Sequence, residues 1–125
     1  MERAGGNKER RKSPRVDMDW PLEYKATDAL DAYGGIAVNG NDAGLCIHSI
    51  RDMPVGTRLN IVVLYRKEFQ LTCFEVLADI IWKDLCLKED WKGYQYGLEF
   101  VKIEGEDLQK IKKLLSSRIR YRGES

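Results

Sequence analysis

Histidine and cysteine are scarce in this 125-residue sequence, which contains one histidine and three cysteines. Cys46, Cys73 and Cys86 have no Cys-x-x-Cys spacing and cannot all pair within one chain, so the pattern favours buried free thiols over disulfides or metal ligands. His48 has no set of ligating residues near it in the sequence. A nucleophile with a neighbouring base and a Walker-type phosphate loop are also missing. We therefore predict no metal site, no cofactor and no enzymatic activity.

Long apolar runs are absent as well. No stretch approaches the eighteen consecutive apolar residues of a membrane span, and the N-terminus lacks the apolar segment of a signal peptide. We therefore predict no membrane span and a cytoplasmic location. A chain of this length is typical of a single domain that buries roughly two-thirds of its unfolded surface.

The charge of the chain is nearly balanced overall but unevenly distributed. Residues 1–15 contain six Lys/Arg and two Glu, a local charge of +4, whereas the whole chain carries +1, which leaves −3 for the remainder. Such concentration favours an anionic partner that is small enough to be bound locally. It argues against a nucleic acid polymer, since binding a polymer requires cations spread over a face of the fold.

The basic segment Arg10-Arg11-Lys12-Ser13-Pro14-Arg15 directly precedes the first segment with a core-forming pattern. Arginine is informative because its planar guanidinium can donate two parallel hydrogen bonds to a phosphate or a guanine edge. Pro14 disfavours helix at Ser13, so the segment is expected to be extended or turned. An equally acceptable interpretation is a disordered, solubilising tail, and residues 1–9 are predicted to be disordered in either case.

Alternating apolar and polar residues from Val16 to Ala26 predict a half-buried strand. Further strands are predicted at 36–38, 45–50, 59–65, 69–82 and 94–100, and the Asn-rich segment 39–44 is predicted to be a turn. A change of parity predicts a β-bulge near Cys73 and Phe74. Trp82 is expected at the mouth of a hairpin that residues 83–93 close. Six strands joined by short connections favour an antiparallel β-barrel.

Helical periodicity occurs only at the end of the chain, at Leu108, Ile111, Leu115 and Ile119. Acidic residues precede these positions and arginines follow them, which complements the helix dipole. We predict that this helix closes one face of the barrel.

Two short motifs resemble the PilZ family of bacterial cyclic di-GMP receptors. The family signature is Arg-x-x-x-Arg before the first strand, followed by Asp/Asn-x-Ser-x-x-Gly. Residues 11–15 match the first part, and residues 39–44 match the second at Asn39 and Gly44, with Asn41 where serine is usual. The segment Gly97-Leu98-Glu99-Phe100 also resembles the closing segment of the family.

The resemblance implies an all-β-dominated fold: a six-stranded antiparallel PilZ-type β-barrel with one C-terminal α-helix and a flexible N-terminal arm. Residues 10–122 are then a single PilZ-like domain, with the barrel at about 15–103 and the helix at about 105–120. The implied ligand is cyclic di-GMP, and the implied function is an effector whose arginine arm becomes ordered on the ligand and changes a surface that a downstream protein binds.

The expected ligand-binding residues follow from the same resemblance. An arginine guanidinium can donate two hydrogen bonds to a phosphate or to a guanine edge, and short amide side chains can bond the remaining guanine edges. A glycine lets the backbone come close to the ligand because it has no side chain. In the family, an additional arginine before the motif accompanies binding of two stacked ligand molecules. The candidate residues are Arg10, Arg11, Arg15, Asn39, Asn41, Gly44 and, as an aromatic contact, Trp82.

Two alternative functions are compatible with the same sequence. Because Asn41 replaces the usual serine, the domain is alternatively a PilZ-like protein-interaction module with lost or weakened nucleotide binding. A less favoured alternative is an oligonucleotide-binding barrel that uses Trp20, Trp82 and Trp91 as stacking platforms.

Overall fold

The computed structural model describes residues 14–124, of which 117–124 are described as helix backbone only. Six β-strands precede one α-helix. The elements are β1 (Val16–Ala26), β2 (Tyr33–Asn41), β3 (Gly44–Ser49), β4 (Arg58–Lys67), β5 (Gln70–Lys88), β6 (Trp91–Lys102) and α1 (Gly105–Glu124). The six antiparallel strands and the C-terminal helix predicted from the sequence are confirmed. The predicted disordered tail, residues 1–9, lies outside the described residues.

The strands form one closed sheet in the order β1-β2-β3-β6-β5-β4, in which β4 also pairs with β1. Strands adjacent in sequence form two three-stranded units, β1-β2-β3 and β4-β5-β6. Two seams between non-consecutive strands, β1 with β4 and β3 with β6, join these units. The β3–β6 seam places Cys46 opposite Gly97 and Gly44 opposite Glu99.

The core lies inside the closed sheet because apolar residues alternate along each strand. On β1 the buried residues are Val16, Met18, Trp20, Leu22 and Tyr24, and the residues between them are exposed. Trp20 packs edge-on against Phe74, with ring centroids 6.4 Å apart. The position of Trp20 in this core leaves its indole no role as a surface stacking platform.

The helix α1 packs against the same core through Ile111 and Leu115, both of which are buried. Lys110 Nζ donates a hydrogen bond to the Cys73 carbonyl oxygen at 3.0 Å, which fixes the helix beside β5. Glu106 and Asp107 lie in its first turn, where carboxylates are favoured by the helix dipole. Among residues 14–124, α1 is too polar to cross a membrane, and no other helix is described.

The predicted β-bulge near Cys73 was wrong. Pairing between β4 and β5 is regular from Arg58–Asp79 to Lys67–Gln70, so no residue is inserted there. Phe69 instead lies in the β4–β5 turn and Leu71 on the outer side of β5, where they are 99% and 72% exposed. The apolar character of these residues therefore did not indicate burial. The shifts in register on β5 occur further along, between Leu77 and Ala78 and between Ile80 and Trp82.

Two predicted boundaries were also wrong in ways that affect the candidate site. β5 continues to Lys88, and the turn that follows comprises only Glu89 and Asp90. Trp82 therefore lies within a strand and not at a hairpin mouth. Asn39, which was predicted to be in a turn, belongs to β2 because it pairs with Asp17 on β1 and with Cys46 on β3.

Candidate functional site

The part of the arginine motif that the structure describes makes a specific contact with the Asn-rich segment. Arg15 Nε donates a hydrogen bond to Asn39 Oδ1 at 2.6 Å, across 24 residues of sequence. Arg15 is exposed, and among the described residues its guanidinium has no carboxylate partner. The pairing of Asp17 with Asn39 places the start of β1, two residues after Arg15, beside Asn39 on β2. The two sequence motifs thus meet at Arg15 and Asn39, whereas Arg10 and Arg11 lie outside the described residues.

Asn39 begins a line of four cross-strand partners that runs over the outer face of the sheet. Asn39 pairs with Cys46, Cys46 with Gly97, and Gly97 with Trp82. We call these four residues the outer-face row. Since neighbouring strands lie about 4.8 Å apart, the row is roughly 14 Å long between its terminal Cα atoms.

The middle of the outer-face row is shallow because Gly97 has no side chain. A Cβ added to Gly97 would overlap the Trp82 indole, which shows that the ring lies flat over the glycine. Trp82 is 43% exposed, a large fraction for a residue within a strand. The row therefore presents an aromatic surface at one end and the Arg15–Asn39 pair at the other.

Cys46 lies between these two ends and is almost completely buried. Burial raises the pKa of the Cys46 thiol, and the hydrogen bond from Gln95 and the positive charge of Arg15 offset part of this rise. The effect of Arg15 indicates that its guanidinium lies within electrostatic reach of the row. A protonated thiol leaves the floor of the row neutral, so Arg15 supplies the positive charge there.

Asn41 and Gly44 shape the turn that follows Asn39. Asn41 Oδ1 accepts hydrogen bonds from the backbone N–H groups of Ala43 at 2.8 Å and Gly44 at 3.2 Å. A Cβ added to Gly44 would overlap the Leu98 carbonyl oxygen on β6. The close backbone approach that we expected at Gly44 is thus an approach between two strands. Asn41 is buried, so its carboxamide oxygen has a structural function in this turn.

The three tryptophans do not form a common stacking surface. Trp20 is in the core, and Trp91 stacks on His48 with ring centroids 5.0 Å apart. His48 lies beside the outer-face row, where burial and the charge of Lys88 lower its pKa. Only Trp82 presents its indole on the outer-face row.

Within residues 14–124, no group of three or more His, Cys, Asp or Glu side chains is arranged to hold a metal ion. A cavity of about 920 Å³ lies between the β4–β5 hairpin and α1. It includes Tyr65 and Lys113 and none of the candidate site residues. Arg15 and Trp82, at the two ends of the outer-face row, are both exposed.

Sequence reasoning did not identify Cys46 or Gly97 as site residues. Gly97 was noted only as part of a closing segment, although a glycine within an alternating strand often marks close approach of another group. The contribution of Cys46 depends on the β3–β6 register, which joins residues about fifty positions apart.

Comparison with solved structures places this fold among several bacterial proteins. The chain is similar to the Bacillus subtilis inhibitor of motility MotI/DgrA, with a TM-score of 0.73, 14% identity, and coverage of 89% of this chain and 52% of that chain. It is also similar to the PilZ domain of Escherichia coli YcgR, solved with cyclic di-GMP, with a TM-score of 0.66, 13% identity, and coverage of 92% and 95%. For Borreliella burgdorferi PlzA, solved with cyclic di-GMP, the TM-score is 0.61, the identity is 14%, and coverage is 95% and 56%.

The chain spans about half the length of the MotI/DgrA chain and almost the whole of the YcgR domain. None of the curated proteins compared with the chain matches it. The model of the PilZ domain family matches residues 9–117, which comprise most of the sequence and include both motifs. The predicted family is therefore confirmed, and the chain belongs to the PilZ domain family.

Proposed function

We propose that this domain binds cyclic di-GMP and acts as an effector, in which the N-terminal arginine arm becomes ordered on the ligand and alters a surface that a downstream protein binds. PilZ domains are binding domains and not enzymes, and two of the matched structures, YcgR and PlzA, contain cyclic di-GMP. The observation that carries the proposal is the hydrogen bond from Arg15 to Asn39, which joins the two family motifs at one end of the outer-face row.

The chemistry of the ligand matches the two ends of the row. Cyclic di-GMP has two phosphates and two guanines, so it requires cationic forks and flat apolar surfaces. The hydrogen bond to Asn39 uses Arg15 Nε, and we propose that the two terminal nitrogens of the guanidinium form the fork for a phosphate or a guanine edge. The exposed Trp82 indole provides a surface on which a guanine stacks. In this proposal the PilZ-type barrel provides the rigid platform for both groups.

The arm supplies the remaining charge. We propose that Arg10 and Arg11 close over the ligand from the arm side, and that Asn41 and Gly44 contribute by holding the 42–43 turn in shape. Two stacked ligand molecules carry four phosphates, which balances the +4 charge of residues 1–15. The proposed stoichiometry is therefore two ligands per chain. We further propose that residues 10–122 act as one domain, that the protein is cytoplasmic, and that residues 1–15 lose fast backbone motion on binding.

We expect Arg15→Ala to weaken cyclic di-GMP binding by at least about tenfold, because a phosphate or guanine edge loses a charge-assisted hydrogen bond. Isothermal titration calorimetry of the whole chain measures this affinity and the stoichiometry, with cyclic di-AMP and GTP as ligands of related chemistry. Arg66→Ala is the matched control, since Arg66 is equally an exposed arginine but lies at the far end of β4, outside the outer-face row.

Arg66→Ala is expected to bind like the unmodified chain, and Arg15→Ala is expected to unfold at the same urea concentration. If Arg15→Ala and Arg11→Ala both titrate like the unmodified protein, the arm is only a solubilising tail. If the unmodified chain gives no heat with cyclic di-GMP, the alternative function remains, namely a PilZ-like protein-interaction module without nucleotide binding.

A further inference from the structure

The second half of β5 has a free backbone edge. On the side away from β6, residues 70–79 of β5 pair with β4, and Ile80 exchanges backbone hydrogen bonds with Gly56 and Thr57. From Ile81 to Lys88, no backbone–backbone hydrogen bond among the described residues is made on that side. We call residues 81–88 the β5 edge. An unpaired edge of this length is a template for another strand.

The hairpin geometry determines which backbone groups point outward from the β5 edge. The loop has two residues, Glu89 and Asp90, so its flanking pair, Lys88 and Trp91, is a hydrogen-bonded pair. By alternation, the groups of Asp84 and Cys86 also point towards β6, and those of Leu85 and Leu87 point away from it. The Leu85 N–H agrees with this direction, because it donates to the neighbouring Asp84 carboxylate at 2.9 Å.

The side chains of the β5 edge form two chemically distinct faces. Leu85 and Leu87 lie on one face and are 57% and 66% exposed. Asp84 and Lys88 lie on the opposite face, are also exposed, and flank Cys86 at equal distances along the strand. The negative charge of Asp84 and the positive charge of Lys88 therefore lie at equal distances on either side of Cys86.

We propose that the β5 edge pairs with the β5 edge of a second copy of this chain, antiparallel and centred on Cys86. In this register Asp84 faces Lys88 of the second copy, and Lys88 faces its Asp84. Leu85 and Leu87 of both copies meet on the other face as a cluster of four leucines. The outward backbone groups also agree, since Leu85 and the second copy's Leu87 exchange two hydrogen bonds, and the symmetric pair exchanges two more. In the dimer the Leu85 N–H exchanges its Asp84 acceptor for the Leu87 carbonyl oxygen, and the Asp84 carboxylate pairs with Lys88 instead.

Self-complementarity distinguishes a second copy from an unrelated extended peptide as the occupant. When two copies of this strand run antiparallel, each acidic residue faces a lysine of the other copy on both sides of the centre. A shift of one residue in this register would place the charges on the wrong face. The paired segment is short, so the dimer is expected to be weak and to depend on concentration. This inference does not depend on nucleotide binding.

Sedimentation equilibrium of the whole chain without ligand, over a concentration series up to 1 mM, tests this association. We expect a reversible dimer for the unmodified chain. Asp84→Lys and Lys88→Asp each replace two attractive pairs by two repulsive ones and should each weaken association by about tenfold or more. An equimolar mixture of the two variants restores both pairs and should regain association. Lys67→Asp is the matched control, because Lys67 is an exposed lysine at the end of β4, where it pairs with Gln70 and not with a residue of the β5 edge.

Amide hydrogen exchange provides a second readout at single residues. The N–H groups of Leu85 and Leu87 should exchange more slowly as concentration rises, whereas those of Cys86 and Lys88, already bonded to β6, should not change. The proposal is overturned if the chain stays monomeric to 1 mM, which would leave the edge to an extended segment of another protein. It is equally overturned if the two charge variants dimerise like the unmodified chain, or if their mixture does not recover association.

Discussion

Replacing Gly44 with alanine is expected to destabilise the fold by about 3 kcal/mol or more, and Gly44→Val by at least as much. Gly44 faces Glu99 in the β3–β6 seam, and an added Cβ would overlap the Leu98 carbonyl oxygen. The obstructing atom belongs to the backbone of a paired strand, so relief requires the two strands to separate. Urea unfolding measures the change, as a fall of about 1–3 M in the midpoint for a typical small-domain slope.

Ala43→Ser is the matched control for this substitution. Ala43 is the neighbouring residue, and its side chain is exposed in the turn, so the stability of Ala43→Ser should lie within about 0.5 kcal/mol of the unmodified protein. Any loss of ligand binding in Gly44→Val is then a consequence of lost structure. An unchanged urea midpoint for Gly44→Ala would show that the seam adapts and that the role assigned here to Gly44 is wrong.

Gly97→Ala is expected to leave the fold intact and to reduce cyclic di-GMP affinity by about tenfold, an effect that rests on the proposed function. An added methyl overlaps the Trp82 indole, and the ring, being a surface side chain, can rotate away. The guanine then loses its stacking surface, a contact that contributes about 1–3 kcal/mol per base. Calorimetric titration of Gly97→Ala, Trp82→Ala and the double variant measures the effect.

The double variant separates this mechanism from a general disturbance of the surface. If Gly97 acts only by positioning Trp82, the double variant binds no more weakly than Trp82→Ala alone, because both substitutions then remove the same stacking contact with the guanine. Additive losses would instead give Gly97 its own contact with the ligand. Full affinity in Trp82→Ala, together with weakened binding in Arg15→Ala, would place the ligand at the arginine end and away from the indole.

The sequence predicted the fold well where the alternation of apolar and polar residues within one strand indicates which of them are buried. Val16–Ala26 alternates regularly, and β1 has these bounds because each apolar residue of the alternation enters the core. The prediction failed where apolar residues are not buried, as at Phe69 on the tip of the β4–β5 hairpin. It also failed at residues 83–88, where polar Lys83 and Asp84 indicated a loop although their backbone continues β5.

The candidate site was predicted only in part, for a related reason. Arg15 and Asn39 belong to local motifs, and each was predicted as a ligand-binding residue, whereas the hydrogen bond between them is a finding of the structure. The positions of Cys46, Gly97 and Trp82 beside them depend on the register of the β3–β6 seam, which no local pattern specifies. The contact of Asn41 with ligand stays a prediction, and in the structure its oxygen accepts hydrogen bonds from the turn. That interaction became visible only once the conformation of the turn was known.

The arrangement of the closed sheet as two three-stranded units has a consequence for how the protein folds. Each unit consists of consecutive hairpins with short loops, whose closure is fast, whereas the two seams join distant segments and carry the larger entropic cost. We therefore expect the seams to form last. Asn39, to which Arg15 is hydrogen-bonded, belongs to the first unit, and Gly97 and Trp82 belong to the second. A ligand that contacts both ends of the outer-face row would connect the two units across the β3–β6 seam. Its binding would therefore slow unfolding at the step where the two units separate.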